Sequence, residues 1–279
     1  MIHDHPRPCT ALVLSGGCLR GLAHIGVLKA LQAAGVRPDL VVGTSVGAVV
    51  GALYAAGCAP ATIERAAHGV KLARLKRWAC SRHGLWRLDG LRSLLHSELP
   101  RHRIENFPVR FAAVATDAVS GQAVVFTRGD ASEAAAASAA MPGFFVPPVV
   151  EGRRCVDGCL VSPLPVRIAR SLGATRVIAV DTLCDPTPMR RPGLLDRMLG
   201  PARLMMRALA ATEADEADAL IAPDLGTIDV SAPEHRQAAI DAGERAAERY
   251  LSPLRYGFIN ACGTCARRAI TISATIESR

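Results

Sequence analysis

The chain alternates short apolar runs with segments in which apolar side chains recur every three or four residues. The apolar runs have the length of buried strands and lie at residues 11–14, 40–42, 109–115, 123–126 and 177–180. Helical spacing occupies residues 22–34, 45–57, 62–75, 91–99, 131–140, 201–219 and 234–250. Asp89 is the expected N-cap of the segment 91–99. Strands that alternate with helices predict a layered α/β domain with a mostly parallel sheet.

The pattern predicts one domain over residues 9–255, followed by a tail of unassigned role at residues 256–279. This tail contains Cys262 and Cys265 in a C-x-x-C arrangement. A tetrahedral zinc site needs four ligands, and the sequence offers no second pair at a suitable spacing. We therefore predict no metal.

Positive charge is concentrated in one part of the chain. The net charge is +8, and residues 71–103 contain nine Lys or Arg side chains against two acidic ones. This stretch also contains leucines and two tryptophans, and such a basic segment can lie on an anionic membrane surface. A solvated helical face explains the same pattern. Because no nucleic-acid-binding motif accompanies the charge, no nucleic acid partner is predicted.

Two stretches bear on location. The polar N-terminus lacks the apolar core of a signal peptide. Residues 40–61 carry no charge and are long enough to cross a bilayer, but four glycines interrupt them, which favours a buried strand, a turn and a helix. The prediction is a soluble cytoplasmic protein that contacts the inner membrane face peripherally.

A Gly-x-Ser-x-Gly sequence stands where the second predicted strand meets a helix. It comprises residues 43–47, with Ser45 between Gly43 and Gly47. A serine on such a turn is held in a strained, exposed position, and small neighbours relieve the crowding around it. The motif therefore predicts a nucleophilic serine, while a glycine-rich buried turn with an inert serine is the alternative.

The first strand-to-helix junction is a second glycine-rich turn. Gly16, Gly17 and Cys18 lead into Arg20, and successive N–H groups in such a turn can bind an anion. The dinucleotide fingerprint G-x-G-x-x-G needs glycine at its third position, where this turn has Cys18. A phosphate P-loop is absent as well. No cofactor is therefore predicted, and an oxyanion hole that serves Ser45 accounts for both turns.

A serine nucleophile needs a proton acceptor within reach. Asp157 follows the apolar Val156 and precedes Gly158, as an acid at a strand end does. A turn aspartate is the commonest role for this dipeptide and is the alternative interpretation.

Taken together, these motifs resemble the patatin-like phospholipases. The resemblance extends over residues 16–28, 43–47, 116–121, 137–145, 157–158 and 217–224, in this order. It implies a three-layer α/β/α fold and hydrolysis of lipid carboxylic esters, of the phospholipase A or lysophospholipase type. Under this resemblance Ser45 attacks, Asp157 accepts its proton, the N–H groups of Gly16, Gly17 and Cys18 hold the oxyanion, and Arg20, Gly43, Gly47 and Gly158 support the site.

The sequence departs from the family pattern at two positions. Cys18 stands where the family usually has a third glycine, and Cys159 stands where it usually has a small residue. If position 18 requires a positive φ, cysteine there costs about 1 kcal/mol or more.

Other functions remain open at this level. One is an α/β-hydrolase esterase or thioesterase with a triad of Ser45, Asp157 or Asp181, and His235. Only one complete strand-helix unit precedes Ser45, whereas that fold places several strands before its nucleophile. A catalytically silent membrane-associated module is the other alternative, since a fold does not dictate a function. Residues 186–207 mix methionine and leucine with arginine and are predicted to form an amphipathic lid.

Overall fold

The computed structural model describes residues 9–70, 77–81, 84–184, 194–226, 228 and 235–255. The strands within these ranges are β1 (Thr10–Leu14), β2 (Leu40–Thr44), β3 (Arg77–Ser81), β4 (Gly84–Arg87), β5 (Arg110–Asp117), β6 (Ala123–Phe126), β7 (Val149–Val150), β8 (Arg153–Asp157), β9 (Arg176–Val180) and β10 (Ala219–Ile221). The helices are α1 (Ala23–Ala33), α2 (Val46–Ala55), α3 (Pro60–Gly69), α4 (Asp89–Glu98), α5 (Ala131–Ser138), α6 (Val166–Ser171), α7 (Leu194–Ala214) and α8 (Arg236–Arg255).

One mixed sheet runs through the middle of the molecule. Its strand order is β10-β9-β1-β2-β5-β8-β7, and β6 pairs with β5. The five strands from β10 to β5 are parallel, while β6, β7 and β8 pair antiparallel with their neighbours. This confirms the predicted mostly parallel sheet. Strands β3 and β4 form a separate antiparallel hairpin.

Side chains of successive strand residues enter two different cores, because they point to opposite faces of the sheet. Leu12 and Leu14 of β1 pack in the larger core with residues of α1, α2, α5 and α8. Ala11 and Val13 of the same strand pack in the second core with residues of α6 and with Ala210 of α7. Helices therefore cover both faces, and the predicted α/β/α arrangement is confirmed.

Helices α1 and α8 approach each other closely enough for their backbones to touch. A Cβ on Gly26 would overlap the carbonyl oxygen of Ile240, and a Cβ on Gly243 would overlap that of Ala23. This pairing places the middle of α8 against the start of α1, at the edge of the sheet where β1 ends.

Some predicted elements differ from the observed ones. Asp89 lies in the first turn of α4, and Leu88 is the N-cap. The helix predicted at residues 62–75 ends at Gly69, and residues 71–76 lie outside the described ranges. The helix predicted at 201–219 instead extends over Leu194–Ala214, and Ala219 begins β10. Residues 256–279 and residues 186–193 of the predicted lid also lie outside the described ranges.

No helix among the described residues combines the length and the apolar character that a membrane span requires.

Candidate active site

Ser45 is a single-residue connection between β2 and α2. Its backbone has φ 56° and ψ −123°, an unusual conformation for a residue with a side chain. The flanking glycines are required by contact with backbone atoms. A Cβ on Gly43 would overlap the carbonyl oxygen of Gly47, and a Cβ on Gly47 would overlap that of Leu14. The backbone strain at a residue such as Ser45 amounts to about 1–3 kcal/mol and persists only where the surroundings enforce it.

Strand register brings Asp157 to this turn. Thr44 at the end of β2 is opposite Val114 of β5, and the next residue of β5, Ala115, is opposite Asp157. Because β6 occupies the other edge of β5 at Ala115, β8 continues along the same edge as β2. The residue that follows Thr44 therefore meets the end of β8.

The side chains of Ser45 and Asp157 are joined directly. Ser45 Oγ donates a hydrogen bond of 2.8 Å to Asp157 Oδ2. Ser45 is 6% exposed and Asp157 is 1% exposed. The backbone of Asp157 is also fixed, since its N–H donates to Ala140 O and its carbonyl accepts from Thr116 Oγ1, each at 2.9 Å.

Burial makes Asp157 more basic than an ordinary aspartate. Its pKa is raised, because loss of contact with water disfavours the charged carboxylate. Hydrogen bonds from the Cys159 N–H, the Ser45 hydroxyl and the Cys159 thiol oppose this effect and lower the pKa. A buried carboxylate of raised basicity beside a hydroxyl can accept its proton.

The glycine turn between β1 and α1 lies against Ser45. A Cβ placed on Gly16 would be 3.5 Å from the Cβ of Ser45. Gly17 has φ 147° and Cys18 has φ 51°, so position 18 does adopt the positive φ at which cysteine is strained. Gly21 follows in the same 3₁₀ turn as Arg20, and a Cβ on it would overlap Val46 at the start of α2.

Polar side chains hold the glycine turn in place. Thr182 Oγ1 donates to Gly16 O at 2.8 Å, and Thr182 N–H donates to Ser15 Oγ at 2.9 Å. His24 is fully buried, and its Nε2 lies 2.9 Å from Ser15 O. Burial lowers the pKa of His24 to about 4, so the ring is neutral at pH 7 and its Nε2–H donates to this carbonyl.

One predicted oxyanion donor is already engaged. The N–H of Gly16 donates to Pro163 O at 2.9 Å, so it is not free to bind an anion. This corrects the predicted set of three donors and leaves the N–H groups of Gly17 and Cys18. The interaction could not be foreseen from the motif, because Pro163 comes from a loop about 150 residues further along the chain.

Three polar residues around the site were given no role in the sequence prediction, although Ser138 lies in segment 137–145 of the family resemblance. Ser138 accepts from the Ser45 N–H at 2.7 Å and donates to Val114 O. Ser162 accepts from Thr44 Oγ1 through its carbonyl at 2.8 Å and donates to Glu213 from its hydroxyl at 2.9 Å. A serine within an alanine-rich helix was the available signal for Ser138, whereas Ser162 and Glu213 are isolated polar residues without a motif.

The two residues that belong only to the alternative triad, His235 and Asp181, lie on other elements. His235 precedes α8, and its neighbour Arg236 donates to backbone carbonyls at the end of α3, among them Ala67 O and Val70 O. Asp181 follows β9, on the opposite side of β1 from β2, and accepts from Leu183 N–H.

Comparisons with known proteins identify the family of this chain. The patatin-like phospholipase family model matches residues 12–170. An uncharacterized NTE family protein of Mycobacterium tuberculosis is 36% identical over 179 residues, which cover 62% of this chain and 49% of that protein. The human patatin-like phospholipase domain-containing protein 6 is 37% identical over 188 residues, which cover 61% of this chain and 13% of that protein. This chain thus spans about half or less of the length of these relatives.

The fold also has a counterpart among solved structures. VipD from Legionella pneumophila superposes with a TM-score of 0.60 at 14% sequence identity, over 87% of this chain and 66% of that one. At this identity the likeness concerns the fold alone. The family model covers more than half of the sequence and includes the Ser45 turn, the glycine turn and Asp157, and we conclude that this chain belongs to the patatin-like phospholipase family.

Proposed function

We propose that this chain hydrolyses lipid carboxylic esters, as a phospholipase A or lysophospholipase, through Ser45 and Asp157. The observation that carries the proposal is the 2.8 Å hydrogen bond from Ser45 Oγ to a buried carboxylate. A serine hydroxyl is a weak nucleophile until an acceptor takes its proton. Membership of a family described as phospholipases supports an ester of a lipid as the substrate.

The first half of the proposed reaction forms an acyl-enzyme. Ser45 Oγ attacks the ester carbonyl carbon while its proton passes to Asp157 Oδ2. The N–H groups of Gly17 and Cys18 stabilise the negative oxygen of the tetrahedral intermediate. When the intermediate collapses, the C–O bond to the alcohol breaks, and the departing alcohol takes the proton from Asp157.

The second half releases the fatty acid. A water molecule attacks the acyl carbon while Asp157 accepts one of its protons. Collapse of the second intermediate breaks the bond to Ser45 Oγ, which recovers the proton from Asp157. Asp157 must be ionised at the start of each half. Because burial raises its pKa, activity is expected to fall on acidification at a higher pH than the pKa of an ordinary aspartate would give.

Active-site labelling with a fluorophosphonate tests this proposal. We expect labelling of the wild type, none of Ser45→Ala, and a strong reduction for Asp157→Asn. His235→Ala is the matched control and should label normally. Wild type that has not been exposed to the probe should release fatty acid from phosphatidylcholine or lysophosphatidylcholine. Folded wild type that neither labels nor hydrolyses these lipids would contradict a hydrolase, and loss of labelling in His235→Ala would favour a triad.

We also propose that the protein contacts a lipid surface through α7. Leu204 and Met205 are 65% and 72% exposed, and the exposed Arg203 precedes them. Apolar side chains beside a cation suit an anionic interface. Leu204→Ser with Met205→Ser should weaken binding to phosphatidylglycerol vesicles, while Val125→Ser, on edge strand β6, should not. Equal vesicle binding by the wild type, the double variant and Val125→Ser would contradict the proposal. Of the basic stretch 71–103, residues 71–76, 82 and 83 lie outside the described ranges.

A further inference from the structure

One thiol lies within the site without a part in the proposed reaction. Cys159 belongs to the 3₁₀ turn Gly158–Leu160, directly after Asp157, and is 3% exposed. A Cβ on Gly16 would overlap its Sγ, so the sulfur fills the space between the glycine turn and Asp157. The same thiol interacts with the carboxylate of Asp157 and with the hydroxyl of Ser45.

The two oxygens of Asp157 are held from different sides. Ser45 Oγ donates to Oδ2 at 2.8 Å, and the backbone N–H of Cys159 donates to Oδ1 at 2.9 Å. The thiol is coupled to this carboxylate and can serve as a third donor, because it is protonated at neutral pH. Burial and the neighbouring Asp157 raise the pKa of Cys159 well above that of an ordinary thiol. It therefore acts as a weak S–H donor and not as a competing thiolate.

Other described groups near Asp157 are also candidate donors to its carboxylate. Cys18, on the glycine turn, is a second titratable group whose charge is coupled to Asp157, and Arg203 of α7 acts on Cys18. The described polar side chains that reach the site from α2, β5 and α5 are the hydroxyls of Ser45, Thr116 and Ser138. A buried carboxylate is costly to ionise unless donors surround it.

We propose that Cys159 is a positioning residue whose thiol holds the ionised carboxylate of Asp157 against Ser45. This inference rests on the proposed function of Ser45 and Asp157. A small residue at position 159, as is usual in the family, would leave the carboxylate with only two donors, the Ser45 hydroxyl and the backbone N–H of residue 159. The cysteine thus favours the charged base in a site that otherwise disfavours charge.

Kinetics give the first test. In Cys159→Ala the carboxylate loses a donor, so the acid limb of the kcat/KM profile should move to higher pH. The loss of activity should be about threefold to tenfold on that limb and smaller on the alkaline plateau. KM should change little. Cys159→Ser retains a donor and should return the limb towards its original position. Equal loss at every pH in both variants would overturn the proposal.

Stability gives a second test that does not depend on catalysis. Unfolding in urea is measured at pH 5 and pH 8 for wild type, Cys159→Ala, Asp157→Asn and the double variant. Asp157 has a raised folded-state pKa, so it stabilises the fold below its unfolded pKa, and this stability is lost as pH rises through the folded value. Cys159→Ala should enlarge this loss, and so destabilise more at pH 8 than at pH 5.

The Asp157→Asn background supplies the control, because no charge forms there. The pH dependence of the Cys159→Ala effect should disappear in that background. An effect of equal size at both pH values would show that the thiol only fills space, and would overturn the inference. The pH dependence of the Cys159→Ala effect could disappear in Asp157→Asn even though the wild type hydrolyses no ester. That result would contradict the proposed function while supporting the positioning role. If Cys159→Ala does not fold, Cys159→Val, which also removes the thiol donor, replaces it in this comparison.

Discussion

The turn between β1 and α1 and the turn between β2 and α2 lie side by side at one edge of the sheet, but they present different groups. The second turn is a single residue, Ser45, which presents a side chain. The first is longer, contains Gly17 and Cys18 at positive φ, and leaves backbone N–H groups at its surface. Equivalent places in a repeated strand-turn-helix unit can thus supply a nucleophile in one case and an anion-binding loop in the other.

The two turns also differ in what enforces their shape. At the Ser45 turn the neighbours are backbone atoms, since a Cβ on Gly47 would overlap Leu14 O. At the first turn a Cβ on Gly17 would meet the side chain of Thr182. This turn is held by hydrogen bonds with Thr182, His24 and the Pro163 carbonyl. The first turn is therefore more adaptable, which explains how it accommodates Cys18 in place of a glycine.

The largest expected effect concerns the base that serves the second turn. Asp157→Asn keeps the shape of the side chain but cannot accept a proton, so kcat/KM should fall about 10²- to 10⁴-fold. The same change should stabilise the protein at pH 8 relative to pH 5, because the wild-type carboxylate is charged and buried at the higher pH. Ester hydrolysis and urea denaturation at both pH values check the prediction. Unchanged activity would exclude Asp157 as the base.

The sequence predicts the Ser45 turn better than the glycine turn, for a physical reason. The shape of the Ser45 turn follows from Gly43 and Gly47, which are its immediate neighbours, so the motif contains the constraint. The donor set of the first turn depends on Pro163, which reaches Gly16 only after the chain has folded. The loss of the Gly16 donor was therefore not predictable from the spacing of the motif.

The same distinction applies to the fold. Apolar runs predict most strands of the parallel sheet, because a buried strand is apolar on both faces. The contact between α1 and α8 depends on Gly26 and Gly243, which are far apart in sequence and match no local motif. The predicted N-cap of α4, Asp89, was wrong by one position, since Asp89 lies inside the helix and Leu88 is the N-cap.

A substitution at each turn measures the difference in rigidity. Gly47→Ala should destabilise by more than about 3 kcal/mol or prevent folding, because its new methyl group meets backbone. Gly17→Ala should cost less, about 1–3 kcal/mol, because it meets the rotatable side chain of Thr182. Gly200→Ala in α7, where a Cβ meets nothing within 4 Å, is the control and should not destabilise. Urea denaturation of the three variants tests this order, and equal costs at Gly47 and Gly17 would contradict it.

The smallest expected effect tests whether His24 holds the glycine turn. The folded-state pKa of His24 is about 4, against 6.5 for an ordinary histidine. The neutral ring therefore stabilises the fold above pH 6.5, and this stability is lost as pH falls towards 4. His24→Gln can still donate to Ser15 O but cannot ionise. The variant should lose less stability than the wild type between pH 7 and pH 5, by on the order of 2 kcal/mol. Buried carboxylates, which titrate in both proteins, cancel in this comparison. Parallel stability curves for the two proteins over this range would show that His24 does not remain neutral, and the turn would then be held chiefly by Thr182 and Ser15.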